Sequence, residues 1–392
     1  MHYGNQRNIY IDWLRGFSIL SVLGTHGLLS PHLLFFLPPS WAKAISVNGY
    51  YGVTIFFVIS GFLITSRALH KWETLDKVVP SDFYAMRVGR IVPLLLLFLT
   101  LMIILAATGV EGFKPEHPML ILKGVSAALT FQYNYFYMAG GSVTAGMFAM
   151  APLWSLSIEE AFYVAFPLVI MVLKRRSLIV LLLLAMIIQG PFSRVDFSLY
   201  SFSGCVDALS FGCLAGLAAG WLADTGRSIA YPRTTMAAAF SLVLTVMIYR
   251  FVLELVAIGP TLVAAGTALF VTAASFAKPV SEWNFPKPVK ARSFRPTVVA
   301  LGPIAFVGAL SYELYLFHMA YHVMVPAEAW RIVPHSFTYY SVGTLLVLVP
   351  FAYAINHFFT EPMNRLVRSL YFGTTQQKND KVNGTVRVSP GE

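Results

Sequence analysis

Three stretches place ionisable side chains inside otherwise apolar sequence. The first reads IDWLRGFSILSVLGTH and carries Asp12, Arg15 and His26. On a helix Arg15 and His26 are about three turns apart, roughly 16.5 Å of axial rise, so they share nearly one face at different depths. That spacing separates a charge-binding cation from a proton-accepting imidazole. Asp12 and Arg15, three apart, can pair.

The second stretch, LWSLSIEEAFY, holds adjacent carboxylates, Glu159 and Glu160. They lie about two helical turns from one end of their run, roughly level with His26. A carboxylate that orients and charges an imidazole completes a general-base dyad. Adjacent residues point about 100° apart on a helix, so one glutamate faces His26 and the other does not. Ser155, Glu159 and Tyr163 form the more polar stripe, which favours Glu159; Ser157, Glu160 and Val164 form the other. The third stretch, SYELYLFHMAYH, carries Glu313, His318 and His322. Histidines four apart can hold a metal on a helix, but no third ligand stands at a recognisable spacing, so no metal is expected.

Each feature also has a plainer structural use. Arg15 can snorkel to the headgroups, His26 can bond a carbonyl, and a His–Glu pair can simply tie helices together. Ionisable groups inside a membrane span are nevertheless costly and usually face the protein interior at a working site. Between two apolar runs, PSDFYAMRVGRIVP puts Arg87 and Arg90 on one face of an expected interfacial helix capped by Ser81 or Asp82. With Arg67 they can grip phosphates, although basic inner loops also follow from topology alone. Ser60 offers a hydroxyl nucleophile, but the sequence sets no base beside it and no Gly-x-Ser-x-Gly elbow around it.

The elements that must position these groups follow from composition. Of 392 residues, 57% are hydrophobic and 12% charged, against about 25% charged in a soluble domain. Mean hydropathy is +0.67. A soluble enzyme, a disordered chain and a fibrous repeat are excluded. Runs long enough to cross a bilayer fall near 10–29, 50–69, 91–109, 152–173, 177–192, 203–223, 234–253, 257–277, 298–326 and 337–360. The expected fold is all-α, a polytopic transmembrane bundle of about ten spans over residues 1–370. Residues 371–392 form a polar, disordered cytoplasmic tail.

Net charge is +10. With a cytoplasmic N-terminus, about 21 of the 28 Lys and Arg fall in inner segments, so the basic balance reflects topology rather than nucleic-acid binding. Arg15 and Arg250 fall inside spans. If residues 118–138 also crossed, that bias would collapse. The outer loop 110–151 is therefore read as holding a re-entrant or interfacial segment, suited by Phe131, Tyr133, Tyr135, Phe136 and Tyr137. No cleavable leader is expected, because the first apolar run already carries charge. Cys205 and Cys213 are read as small core residues rather than a disulfide framework. The protein is expected in the cytoplasmic (inner) membrane, both termini cytoplasmic.

With these residues set out, the chain resembles the acyltransferase 3 family of membrane O-acyltransferases over about residues 8 to 368. Four segments carry the likeness: IDWLRGFSILSVLGTH with Arg15 and His26, GVTIFFVISGFLIT at 52–65, FYAMRVGRIVP with Arg87 and Arg90, and LWSLSIEEAFY. SYELYLFH at 311–318 and the Glu361-to-Arg365 stretch are fainter echoes. Ala161 stands where the family commonly has Gln, and Trp13 where it commonly has Gly. The resemblance implies transfer of an acyl group, acetyl by default, from cytoplasmic acyl-CoA to a hydroxyl of a carbohydrate or glycolipid acceptor. It implies that Arg15 and His26 are essential, that Arg87 and Arg90 serve the CoA side, and it favours Glu159 over Glu160. Tyr163, His318 and Glu313 are the acceptor-side candidates. A proton-coupled secondary transporter would use the same residue types, but the internal repeats common in such carriers are not evident.

Overall fold

The computed structural model describes residues 7–29, 38–141, 146–196, 198–249, 255, 257–277, 296–325 and 336–382. Of the 28 Lys and Arg counted for topology, Arg250, Lys278, Lys287, Lys290, Arg292, Arg295, Arg331 and Arg387 lie outside them. Among the described residues every regular element is helical. In chain order these are α1 (Ile9–Thr25), α2 (Pro39–Val47), α3 (Tyr50–Trp72), α4 (Pro80–Ala107), α5 (Pro118–Leu129), α6 (Tyr133–Met138), α7 (Leu153–Leu173) and α8 (Arg176–Asp196). There follow α9 (Phe202–Asp224), α10 (Pro232–Tyr249), α11 (Gly259–Phe276), α12 (Pro296–Ala309), α13 (Ser311–Met324), α14 (Ser336–Ile355) and α15 (Glu361–Val382).

Eight helices among the described residues are long and apolar enough to cross a membrane. Helix α1, with 17 residues, sits at the lower limit for a span. The expected ninth span is broken: α12 ends at Ala309 and α13 starts at Ser311, with Leu310 between them. The short helix expected around Arg87 is not separate. Helix α4 runs unbroken for 28 residues through Pro93. Its start is set by Pro80, whose missing N–H costs nothing at a helix's first position; no side chain caps it. Asp82 instead accepts from Lys71 Nζ at 2.8 Å and Tyr371 Oη at 3.3 Å.

In the loop 110–151, α5 has 12 residues, about 18 Å, too short to cross about 30 Å of hydrocarbon. The aromatics there do more packing than interfacial anchoring. Tyr133 is fully buried, and Tyr137 and Trp154 close on Tyr200 at ring-centroid distances of 5.0 and 4.8 Å. Tyr135 does face outward. Of the segment read as a disordered tail, residues 371–382 are the last part of α15, and residues 383–392 lie outside the described residues. Cys205 and Cys213 are free and buried, as core residues.

Close helix contacts hold the bundle. Backbone of α3 meets α9 at Gly61, Gly212 and Gly216, where an added Cβ would overlap the opposite helix. Small residues at such crossings let helices approach closely inside a membrane. Gly16 and Gly308 do the same between α1 and α12. Helices α8, α9 and α11 are clamped by a buried ion pair, Arg194 Nη2 to Asp207 Oδ2 at 2.5 Å. Arg194 also donates to the Gly204 and Ala257 carbonyls and to Thr261 Oγ1, each at 2.8 Å. Removing one partner leaves an uncompensated buried charge. Asp207→Asn should cost about 3 kcal/mol, read as a lower Tm of the purified protein in detergent.

Candidate active site

The break at Leu310 turns the first residues of α13 toward a cavity system between α1, α3, α4 and α7. It has two parts. The larger is a cavity of about 730 Å³, within the usual size of a small-ligand site. Its wall carries Arg7, Arg15, Arg67, Arg87 and Arg90, with Lys71 and Arg368 further out. Against these stand three carboxylates, Asp12, Glu313 and Glu361. Asp12 pairs with Arg7 at 3.1 Å and with Arg15 at 4.0 Å. Among the described residues Arg67, Arg87 and Arg90 form no ion pair. Arg87 instead lies 4.7 Å from the Tyr163 ring centroid and 5.7 Å from that of Phe83. A cluster of guanidiniums short of carboxylates is a site for an anion with several acceptor oxygens, as phosphates provide.

Arg15, Leu63, Arg87, Arg90 and Tyr312 line both this cavity and a smaller chamber of about 90 Å³, and so mark the neck where the two adjoin. Tyr312 is anchored there by donating to the Ile91 carbonyl at 3.1 Å. The chamber wall is apolar at Val53, Phe56 and Phe57 and polar at one cluster. There Glu159 Oε1 accepts hydrogen bonds from both Ser60 Oγ and the Tyr163 hydroxyl, and Tyr163 also reaches Ser60 Oγ at 3.1 Å. Ser311 Oγ, on the same wall, is buried without a hydrogen-bond partner among the described residues. Such a group usually bonds a ligand or water. Ser155 Oγ and the Tyr315 hydroxyl, which also line the chamber, share a 2.6 Å hydrogen bond.

The Ser155–Glu159–Tyr163 stripe therefore faces the chamber as its spacing suggested. Glu160 does not; it is buried on another face, where neighbouring Ser157 accepts from the Tyr133 amide at 3.2 Å. The expected contact between His26 and Glu159 is absent. Glu159 is engaged by Ser60 and Tyr163, whereas His26 caps the end of α1, 5.1 Å from the His318 ring. Depth counted along each helix did not predict which groups meet. His26 does not line the chamber; the His318 ring beside it lies 5.5 Å from that of Tyr315, which does.

His318 is buried, and its Nδ1 donates to the Tyr315 carbonyl at 2.6 Å. A carbonyl only accepts, so the proton sits on Nδ1 and the Nε2 lone pair is left without a partner among the described residues. Glu313 faces the arginine-lined cavity rather than the His26 end, accepting from Asn356 Nδ2 at 2.7 Å. Asn356 comes from a π-helical turn, Asn356–Thr360, between α14 and α15; such turns often occur at functional sites. No group of three or more His, Cys, Asp or Glu able to hold a metal occurs among the described residues. Ser311, Tyr312 and Tyr315 went unremarked in the sequence because their role depends on the helix break, which apolar SYELYLFH does not announce.

The sequence profile of a family described as an acyltransferase domain matches residues 8–357. The O-acetyltransferase OatA of Staphylococcus aureus strain NCTC 8325 / PS 47 is 32% identical over 169 residues, 42% of this chain and 25% of that protein. OatA of strain COL matches to the same extent. The match thus spans about a quarter of those relatives' length. No solved structure matches.

Proposed function

The chain belongs to the acyltransferase 3 family and is an integral membrane protein; from that premise we propose that it moves an acyl group, acetyl by default, from acyl-CoA to a hydroxyl of a carbohydrate or glycolipid acceptor. What supports this reading is the pair of adjoining cavities, with Arg67, Arg87 and Arg90 outside any ion pair among the described residues in the wide one and the Glu159–Ser60–Tyr163 cluster in the narrow one. CoA presents several phosphate charges at one end and a thioester at the end of an uncharged arm. Arg67, Arg87 and Arg90, helped by Arg15, hold the phosphates. The neck at Tyr312 admits the pantetheine, and the thioester enters the chamber beside Glu159.

By the charge bias of the loops, the arginine-lined end and both termini face the cytoplasm, where acyl-CoA is made. The acceptor approaches from the His26 end. His26 takes the acceptor's hydroxyl proton, steadied by His318 in place of the glutamate expected from sequence. Tyr163 and Glu313 then serve the donor side rather than the acceptor. No metal ion has a role in this reading.

Mass spectrometry of cell-envelope glycans from cells with and without the gene tests it. O-acyl groups should disappear on deletion, return with the wild-type chain, and stay absent with His26→Ala at equal membrane levels. Glycans unchanged by deletion would count against it.

A further inference from the structure

Building on that reading, we propose that Ser60 carries the acyl group as a covalent ester between donor and acceptor. Ser60 sits on α3 and lines the chamber into which the donor's thioester would reach. The base that sequence could not supply is present: Glu159, from α7, accepts directly from Ser60 Oγ. Tyr163 bonds both members and holds them together. The other base, His26, does not line the chamber, and the Ser155–Tyr315 hydrogen bond lies at the chamber end nearest His318. A direct transfer needs thioester, acceptor and His26 at one point. A relay separates the two steps in time, so the acceptor need not meet CoA in the chamber; its hydroxyl must still reach the Ser60 ester and His26 together.

In the first half-reaction Ser60 Oγ attacks the thioester carbonyl and its proton passes to Glu159. Ser311 Oγ, which lines the chamber and has no hydrogen-bond partner among the described residues, can donate to the resulting oxyanion. The C–S bond breaks, and the CoA thiolate leaves through the arginine-lined cavity to take a proton from water. In the second, the acceptor hydroxyl loses its proton to His26 and attacks the Ser60 ester. The ester C–O bond breaks, and Glu159 returns its proton to Ser60 Oγ. His26 releases its proton to solvent. Atoms and charge balance with no further reactant.

The purified full-length protein in detergent, mixed with acetyl-CoA and no acceptor, tests this. A burst of free CoA thiol equal to one per chain should appear, with one acetyl group gained in intact mass and mapped by peptide sequencing to Ser60. Ser60→Ala should lose burst and label completely while keeping the wild-type Kd for acetyl-CoA by calorimetry. Ser60→Cys should keep a label that hydroxylamine removes far faster than the serine ester. Wild-type protein that binds acetyl-CoA but gives neither burst nor label would overturn the relay and leave the donor site standing. A label on another residue would likewise overturn it. Failure to bind acetyl-CoA at all would overturn the acyltransferase reading as well.

Discussion

Glu159→Gln yields a folded protein that still binds acyl-CoA but turns it over about 10²–10⁴-fold more slowly, the usual worth of a positioned general base. The amide keeps the side chain's length and can still bond Ser60 and Tyr163, so packing in the chamber is preserved. It loses only the capacity to take a proton. Glu160→Gln, one residue away, should have little effect on turnover, because Glu160 does not line the chamber. Initial-rate measurements at saturating donor, with donor affinity measured separately, distinguish the two. Equal losses from both substitutions would mean that the carboxylates act together as a structural unit.

The second large effect is on binding. Arg87→Ala with Arg90→Ala removes two of the three guanidiniums that have no ion-pair partner among the described residues. A hydrogen bond to a charged group contributes about 1.5–3 kcal/mol, so the pair should weaken donor affinity by about 10²–10⁴-fold. The loss should fall on Kd and KM for acyl-CoA, with turnover at saturating donor far less affected. Salt should weaken wild-type binding more steeply than that of the double variant, because fewer charges remain to be screened. Calorimetry with acetyl-CoA at two ionic strengths reads both effects.

Much of this architecture is legible in sequence because the membrane imposes a simple grammar. Apolar runs of sufficient length mark helices, and the distribution of Lys and Arg orders their ends. Arg67, Arg87 and Arg90 fall in one basic inner segment of the sequence, and all three line one cavity together with Arg7 and Arg368. The stripe of Ser155, Glu159 and Tyr163 was legible because a helix's periodicity fixes which residues share a face.

What was not legible is everything that depends on how helices rotate and meet. Depth along an axis follows from residue count, so His26 and Glu159 looked like partners. How two helices sit against each other does not, and the two have different neighbours. The base for Ser60 lies 99 residues away in sequence, beyond any local motif. The break at Leu310 interrupts a run in which no Gly or Pro stands at positions 309–311, so hydropathy reads straight through it. The continuity of α4 was hidden by the opposite error, since Pro93 and a basic segment suggest a boundary where the helix continues.

The central claim is that one passage receives the donor's phosphates at the arginines and its acyl group at the Glu159 cluster. A structure of the protein bound to a non-transferable thioether analogue of acetyl-CoA tests it most directly. The phosphates should contact Arg67, Arg87 and Arg90, the pantetheine should cross the neck at Tyr312, and the acyl carbonyl carbon should stand beside Ser60 Oγ. A ligand whose phosphates sit elsewhere, or whose acyl group ends outside the chamber, would contradict the account.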